Sequence, residues 1–318
     1  MGCRMNLVLS LTNVNEAEWI DRLRALLPNR KIESWKNGVS DPEKVDYLFA
    51  WKPDPDVFAA LPNLKVIFSL GAGVDHLTSL PQLPHLPLVR IVDADLTSRM
   101  TEWVVFQTLF HHRDHLMYAA QQEASVWKDH KQPAAKEVRV GVLGLGELGL
   151  SSAKALKSLG FDVAGWSRTP KNVLGVQSFF GDSHLDDFLK RTDILINLLP
   201  STPATQKLVN AERLALLPQS GALGGPVYIN AGRGATQDEA AIDAALTSGQ
   251  LKGASLDVFE VEPLPQTSPL WKHKNCIITP HVAAPSDPQA LSEYVARQIK
   301  RFEQGEPLEN LVDLEVGY

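Results

Sequence analysis

Val138-Arg139-Val140-Gly141-Val142-Leu143-Gly144-Leu145-Gly146-Glu147-Leu148-Gly149 is the stretch on which the fold turns. Its first six residues read as a short apolar strand, and the next six satisfy G-x-G-x-x-G. A bare match of that kind is weak, because glycine is common at turns that start helices. Here both flanks fit. A helix is expected over 151–159, ended by Gly160, and a strand over 161–166 finishes about 20 residues past the glycines, as a dinucleotide-binding βαβ unit requires. Gly144 would make the tight turn, Gly146 would let backbone approach a pyrophosphate, and Gly149 would let the helix pack on the strand. Glu147 and Leu148 belong to the same loop, whose helix N-terminus presents N–H groups to the diphosphate.

The same alternation runs outward in both directions. Downstream, Ser183 is expected to cap a short helix carrying Leu185, Phe188 and Leu189, with strands over 193–199, 227–230, 254–259 and 276–279. Upstream, 6–11 reads as a buried strand. Asn15 with Glu18 looks like a capping box ahead of Trp19, Ile20, Leu23, Leu26 and Leu27 at helical spacing. Strands are expected over 45–51, 64–70 and 88–92, then one long helix over 97–123 and a polar loop over 127–137. Strands interleaved with helices imply parallel sheets covered on both faces. The last helix, 288–303, places Leu291, Tyr294, Val295, Ile299 and Phe302 on one face, and it is expected to return to the first half of the chain.

Composition bounds the rest. At 318 residues the chain is long enough for two domains, and 44% hydrophobic with 21% charged residues fits a soluble globular protein. No apolar run approaches the ~18–20 residues of a membrane helix. Thirty-one Lys and Arg against 37 Asp and Glu leave a net charge of −6, which disfavours nucleic acid as a partner. Two cysteines far apart, Cys3 and Cys276, remove a disulfide scaffold and suit a reducing cytosol. The start Met-Gly-Cys-Arg-Met resembles a myristoylation signal but carries Asn6 where Ser or Thr is wanted. The expectation is a cytoplasmic protein, with Met5 as an alternative start.

The strand after the glycines ends Gly165-Trp166-Ser167-Arg168-Thr169. An acidic residue there would accept from a free ribose 2′-hydroxyl. Ser167 occupies that place instead, and Arg168 adds a cation that suits a 2′-phosphate, with Lys171 nearby, so NADPH is expected in preference to NADH. The plainer alternative is a solvated loop arginine.

Three later segments each follow a strand with an ionisable residue. They are Asn230-Ala231-Gly232-Arg233-Gly234, then Asp257-Val258-Phe259-Glu260-Val261-Glu262-Pro263, then Thr279-Pro280-His281-Val282-Ala283-Ala284. In a doubly wound sheet the carboxyl ends of the strands converge on the ligand crevice, so Arg233, Glu262 and His281 can meet there. Taken singly, each has an ordinary structural explanation. In this order, over essentially the whole length, the chain resembles the D-2-hydroxyacid dehydrogenase family. Within it the chain is most similar to the glyoxylate/hydroxypyruvate reductase A group, through Leu70-Gly71-Ala72-Gly73-Val74-Asp75, Leu195-Ile196-Asn197-Leu198-Leu199-Pro200, Pro269-Leu270-Trp271 and the closing Gly317-Tyr318.

The resemblance implies two doubly wound parallel-sheet α/β domains with a cleft between them. A Rossmann cofactor domain would span 99–285, and a discontinuous flavodoxin-like substrate domain 1–98 and 286–318. It implies reduction of glyoxylate to glycolate and of hydroxypyruvate to glycerate by hydride transfer from NADPH. His281 would be the general acid, since imidazole titrates near neutrality, and Glu262 would orient the ring and favour its charged form. Arg233 would fork onto the substrate carboxylate and polarise the carbonyl. Backbone at Ala72, Gly73 and Val74 would form an anion nest, with Trp51 as a pocket wall or as plain core. Leu199, Pro200 and Ser201 would line the adenosine and diphosphate path, Ala231 and Arg233 would lie under the nicotinamide, Asp257 would accept from its carboxamide, and His281 and Ala283 would border the ring. A homodimer is also implied, with the helix from Thr97 contributing and Trp127 reaching the partner's site.

Other signals carry less. His111, His112 and His115 could hold zinc, but no third ligand is evident and hydride transfer to nicotinamide needs no metal, so none is expected. The chain lacks Tyr-x-x-x-Lys and a P-loop. The step from Gly221 to Asn230 is about four residues longer than in the family and is expected to bulge outward, as surface loops tolerate added length. The alternatives left open are a broad-specificity 2-keto acid reductase, another D-2-hydroxyacid dehydrogenase, and a nucleotide sensor without turnover. Closure of the cleft would exclude water from the reaction.

Overall fold

The computed structural model describes residues 6–317, so the first five residues, with Cys3 and the myristoylation-like start, and Tyr318 lie outside the described residues. The chain forms two compact units, Met1–Leu96 with Ser286–Tyr318, and Thr97–Pro285.

In the first unit, β1 (Asn6–Leu11), α1 (Glu16–Leu26), β2 (Ile32–Ser34), β3 (Val45–Trp51), α2 (Asp56–Ala60), β4 (Val66–Ser69), α3 (Asp75–Thr78) and β5 (Leu88–Val89) build a parallel sheet of order β2-β1-β3-β4-β5. All six residues of β1 are buried, as a strand covered on both faces requires. The Asn15 side chain caps α1 by accepting from Ala17 N. The capping box does not form, because Glu18 turns to Arg22 one helical turn on, while Glu16 takes the Leu11 N–H at 2.8 Å.

In the second unit, α4 (Ala94–His112), which enters from the first, is followed by α5 (His115–Glu123), β6 (Arg139–Leu143), α6 (Glu147–Ser158), β7 (Asp162–Ser167), β8 (Gln177–Phe180), α7 (Leu185–Lys190) and β9 (Ile194–Asn197). Then come α8 (Ala211–Leu214), β10 (Val227–Asn230), α9 (Glu239–Ser248), β11 (Gly253–Leu256) and β12 (Cys276–Ile278). The sheet order is β12-β11-β10-β9-β6-β7-β8, parallel throughout. Strand order reverses between β6 and β9, the switch point where such sheets bind ligands.

Three further expectations need correction, and one strand was not foreseen. The helix over 97–123 is two helices, broken at Asp114, which adopts a left-handed conformation (φ 50°) that aspartate tolerates better than most residues. Its carboxylate receives Lys252 Nζ at 2.5 Å. Ser183 does not cap α7; its hydroxyl lies against the His184 ring, in a 3-10 turn leading into that helix. The edge strand β8 escaped notice because its four residues are polar or half-exposed. The extra residues before β10 do not simply bulge outward either. Gly224 closes a turn onto Gly221 O, and Leu223 between them is buried in the core with Val138, Val140 and Val227.

The closing helix α10 (Pro288–Glu303) packs its Leu291, Tyr294, Val295 and Ile299 face inside the first unit, next to α1. Its last residue, Glu303, forms a bidentate pair with Arg30 and accepts from the Tyr47 hydroxyl at 3.1 Å. Burial alone would raise the Glu303 pKa, but the hydrogen bonds and charge of Arg30 outweigh it and hold the carboxyl below its ordinary value. A depressed carboxylate stabilises the fold above its unfolded pKa of about 4.3, and that contribution is lost as pH falls through the folded value. Glu303→Gln is therefore expected to cost about 1–2 kcal/mol at pH 7 and progressively less below pH 4, read by thermal melts across that range. A penalty independent of pH would contradict the assignment.

Candidate functional site

The glycine loop sits at the carboxyl end of β6, and each glycine has a distinct steric reason. Gly144 has φ +94°, and a Cβ there would lie 3.0 Å from Leu198 O. A Cβ on Gly149, in the first turn of α6, would lie 1.8 Å from Gly144 O, so helix and turn can meet only through glycine. A Cβ on Gly146 would meet no protein atom within 4 Å. Open space beside the amino end of α6 is the cradle a diphosphate needs, so the loop fits a dinucleotide. Glu147 is exposed and Leu148 half-buried there.

At the end of β7, Ser167 is buried and its hydroxyl donates to Thr169 O at 2.8 Å, which shapes the turn. Arg168 and Thr169 are exposed beyond it. Across the switch point, the Asn197 carboxamide oxygen accepts from Leu199 N and orients the Leu199-Pro200-Ser201 loop. A Cβ on Gly232 would lie 2.7 Å from Leu199 O, so the segment Ala231-Gly232-Arg233 after β10 lies directly on that loop. Next, a Cβ on Gly234 would lie 1.9 Å from the Phe259 carbonyl carbon, which brings the Arg233 and Glu262 segments together. None of Asn197, Gly232 and Gly234 was singled out by sequence reasoning. The signal was present only as two glycines flanking Arg233.

Glu262 accepts from Phe259 N at 3.2 Å, and its two oxygens lie 3.1 and 3.0 Å from His281 Nδ1. His281 itself has φ 55°, a left-handed conformation rare for a residue of its size. Its loop is held by Asp257, buried at the end of β11. One carboxylate oxygen takes the Thr279 hydroxyl at 2.6 Å and Val282 N at 2.9 Å, the other takes Ala283 N at 2.9 Å, and the backbone carbonyl takes His281 N at 2.8 Å. Asp257 is therefore occupied first in shaping the histidine loop, with lone-pair capacity remaining on one oxygen. Arg233, half-buried, bonds its own loop through Gly232 O at 2.9 Å.

Within the first unit, Trp51 ends β3 and packs against His76 with ring centroids 4.4 Å apart and the planes tilted by 53°. A Cβ on Gly71 would lie 2.6 Å from the Trp51 ring, so the turn Gly71-Ala72-Gly73-Val74 after β4 passes under the indole. The Ser69 hydroxyl fixes the turn through Gly71 N and O.

The three helical histidines are each engaged separately. His111 bonds Ser255 at 2.8 Å and is held neutral, burial and Lys252 lowering it to about 4; His112 packs edge-on against Phe161; His115 lies on α5 against Phe110. Among the described residues no group of three His, Cys, Asp or Glu side chains is placed to hold a metal. Burial pushes the Cys276 thiol up to about 12. No described helix is long and apolar enough to cross a membrane.

A family model for the D-isomer specific 2-hydroxyacid dehydrogenase NAD binding domain matches residues 105–283. The chain belongs to the D-isomer specific 2-hydroxyacid dehydrogenase family. It is an NAD(P)-dependent oxidoreductase acting on the CH–OH group of 2-hydroxy acids. Among relatives, the glyoxylate/hydroxypyruvate reductase A of Salmonella newport (strain SL254) is 38% identical over 320 residues, covering 99% of this chain and 100% of that one. A Sinorhizobium meliloti NADPH-dependent glyoxylate/hydroxypyruvate reductase, solved with NADP and sulfate, superposes with a TM-score of 0.95 at 46% identity. A Xanthobacter autotrophicus Py2 family member, solved with NADPH and MES, gives 0.94 at 42% identity. Each alignment covers 99% of this chain and 100% of the other.

For a dehydrogenase of this family the glycine geometry separates binding from folding. Gly146→Ala is expected to leave the melting temperature within about 2 °C, because nothing in the protein opposes the methyl, while dinucleotide affinity falls at least tenfold by fluorescence titration. Gly149→Ala is expected to destabilise by about 3 kcal/mol or more, since backbone must shift. Equal melting temperatures for the two variants would contradict this division.

Proposed function

We propose that this chain reduces glyoxylate and hydroxypyruvate with NADPH, using His281 as the general acid. The observation that carries the reading is the His281–Glu262 pair. With both Glu262 oxygens at Nδ1, the ring is fixed as an Nδ1–H donor to the carboxylate, and Nε2 is left to carry the transferable proton. The bound nicotinamide supplies the hydride. His281 Nε2 gives its proton to the carbonyl oxygen, and Glu262 offsets the imidazolium charge beforehand. Arg233 forks onto the carboxylate and draws charge from the carbonyl. In the first unit, the N–H groups of Ala72, Gly73 and Val74 would suit a carboxylate, with Trp51 as the wall.

On the cofactor side, Gly144, Gly146, Glu147, Leu148 and Gly149 would hold the diphosphate, and Ser167, Arg168 and Thr169 the adenosine ribose, with Arg168 on the 2′-phosphate. Leu199, Pro200 and Ser201 would follow the adenosine and diphosphate, and Ala231, Arg233, Asp257, His281 and Ala283 would surround the nicotinamide. The NADP and NADPH bound to the Sinorhizobium and Xanthobacter proteins support this preference. Exposed Phe106 and Trp127 support a homodimer. The expected compartment is the cytoplasm.

Oxidation of NADPH, followed at 340 nm with glyoxylate, hydroxypyruvate, pyruvate and phenylpyruvate, tests the substrate; no turnover with any of them sinks the enzymatic reading. His281→Ala should lower kcat about 10²–10⁴-fold, the usual worth of a positioned acid. Arg168→Ala should weaken NADPH roughly ten- to a hundredfold and leave NADH little changed, the loss of one charge-assisted bond. Equal affinity for the two cofactors in the wild type would overturn the NADPH assignment.

A further inference from the structure

We propose that Gln237, acting with Asn230, is a positioning residue that sets where Arg233 stands against its keto acid, an inference resting on the reductase reading above. Both side chains are completely buried, and both lie at or just past the carboxyl edge of the sheet, where β10 and β11 stop pairing at Asn230 and Leu256. Beyond that edge the ladder gives way to single backbone bonds, Ala231 N to Asn197 O at 3.2 Å and Asp257 N to Asn230 O at 2.9 Å. Buried side chains add the remaining ties. Asn230 Nδ2 donates to Gln237 Oε1 at 2.7 Å and to Arg233 O at 3.3 Å, its Oδ1 accepts from Gly232 N at 2.9 Å, and Gln237 Nε2 donates to Val258 O at 3.1 Å.

The network continues toward the cofactor loop. Thr236 Oγ1 donates to Arg233 O at 2.6 Å and accepts from Asn197 Nδ2 at 2.8 Å, while Asn197 Oδ1 holds Leu199 N. Three segments that extend β9, β10 and β11 are thus tied by buried amides and hydroxyls, and two of these side chains, Asn230 and Thr236, bond the Arg233 carbonyl directly. Buried amides are costly unless satisfied, and a fully satisfied set specifies one geometry where apolar packing would allow several. The Gln237 side chain bonds Val258 O and Asn230, and Asn230 in turn bonds Arg233 O, so its effect passes through the main chain of those segments.

The test uses the full-length protein. Gln237→Leu, similar in bulk but without polar atoms, and Gln237→Glu, which keeps the acceptor toward Asn230 and loses the donor toward Val258 O, are compared with Gln107→Leu. Gln107 is another buried amide of the same unit, bonded to Ser255 on α4's side of the sheet and outside the site. Both Gln237 variants are expected to raise KM for hydroxypyruvate about tenfold or more, as small misplacements of a binding group do, while the NADPH Kd stays within about threefold and shows the unit folded. Gln107→Leu should lower the melting temperature without moving KM. Titration with oxalate, a two-carboxylate stand-in for the keto acid, should weaken in parallel with KM.

Unchanged KM and oxalate affinity in either folded Gln237 variant would overturn the proposal, as would an equal rise in KM for Gln107→Leu. A wild type without turnover would overturn the reductase reading alone, since oxalate binding would still decide the role of Gln237. A wild type that fails to bind oxalate would overturn that role too.

Discussion

Backbone meets backbone at three places along the carboxyl edge of the seven-stranded sheet, and at each the approach leaves no room for a Cβ. Gly149 lies on the Gly144 carbonyl, Gly232 on Leu199, and Gly234 on Phe259. A methyl at 1.8–2.7 Å from a backbone atom cannot be absorbed by a rotamer change, because the neighbouring main chain itself would have to move. The last two contacts stack the extensions of β9, β10 and β11 on one another, and Gly144, 3.0 Å from Leu198 O at its Cβ position, brings the β6 turn against the first of them. Arg233 and Glu262 stand on that stack, and through Glu262 so does His281.

Buried carboxylates complete what the glycines begin, one at each end of the same sheet. At the amino end, Asp193 takes the Arg139 N–H and two guanidinium nitrogens at 2.6–3.0 Å, tying the start of β6 to the start of β9. At the carboxyl end, Asp257 gathers the Thr279 hydroxyl and two backbone N–H groups, and this set over-determines the left-handed His281 between them. A carboxylate fits both tasks because it accepts several donors at once. The strain at His281 is local, and the surrounding bonds outnumber it.

Strand positions were legible because a parallel sheet buries both faces, which writes each strand as a short apolar run. Segments 6–11, 45–51 and 227–230 coincide with β1, β3 and β10. The departures have different causes. Asp114, where the helix breaks, pairs with Lys252, distant in sequence; Glu18 pairs with Arg22 one turn along its own helix instead of closing the capping box; and β8 is a four-residue edge strand, Gln-Ser-Phe-Phe, with no buried residue. Leu223, read as part of an outward bulge, was drawn into the core because a buried leucine gains more than a solvated loop loses.

Residue identity and order were enough for a parallel α/β plan and a family, because those depend on local sterics, hydrophobic period and motif order. Distances among Arg233, Glu262 and His281 were not in the sequence. They follow from close approaches between segments far apart in the chain, and from the buried set Asn197, Asn230, Thr236 and Gln237, whose side chains could equally have faced water. Only the folded sheet removes water from them and leaves one another as partners, and desolvation turns four ordinary polar residues into a frame for the site.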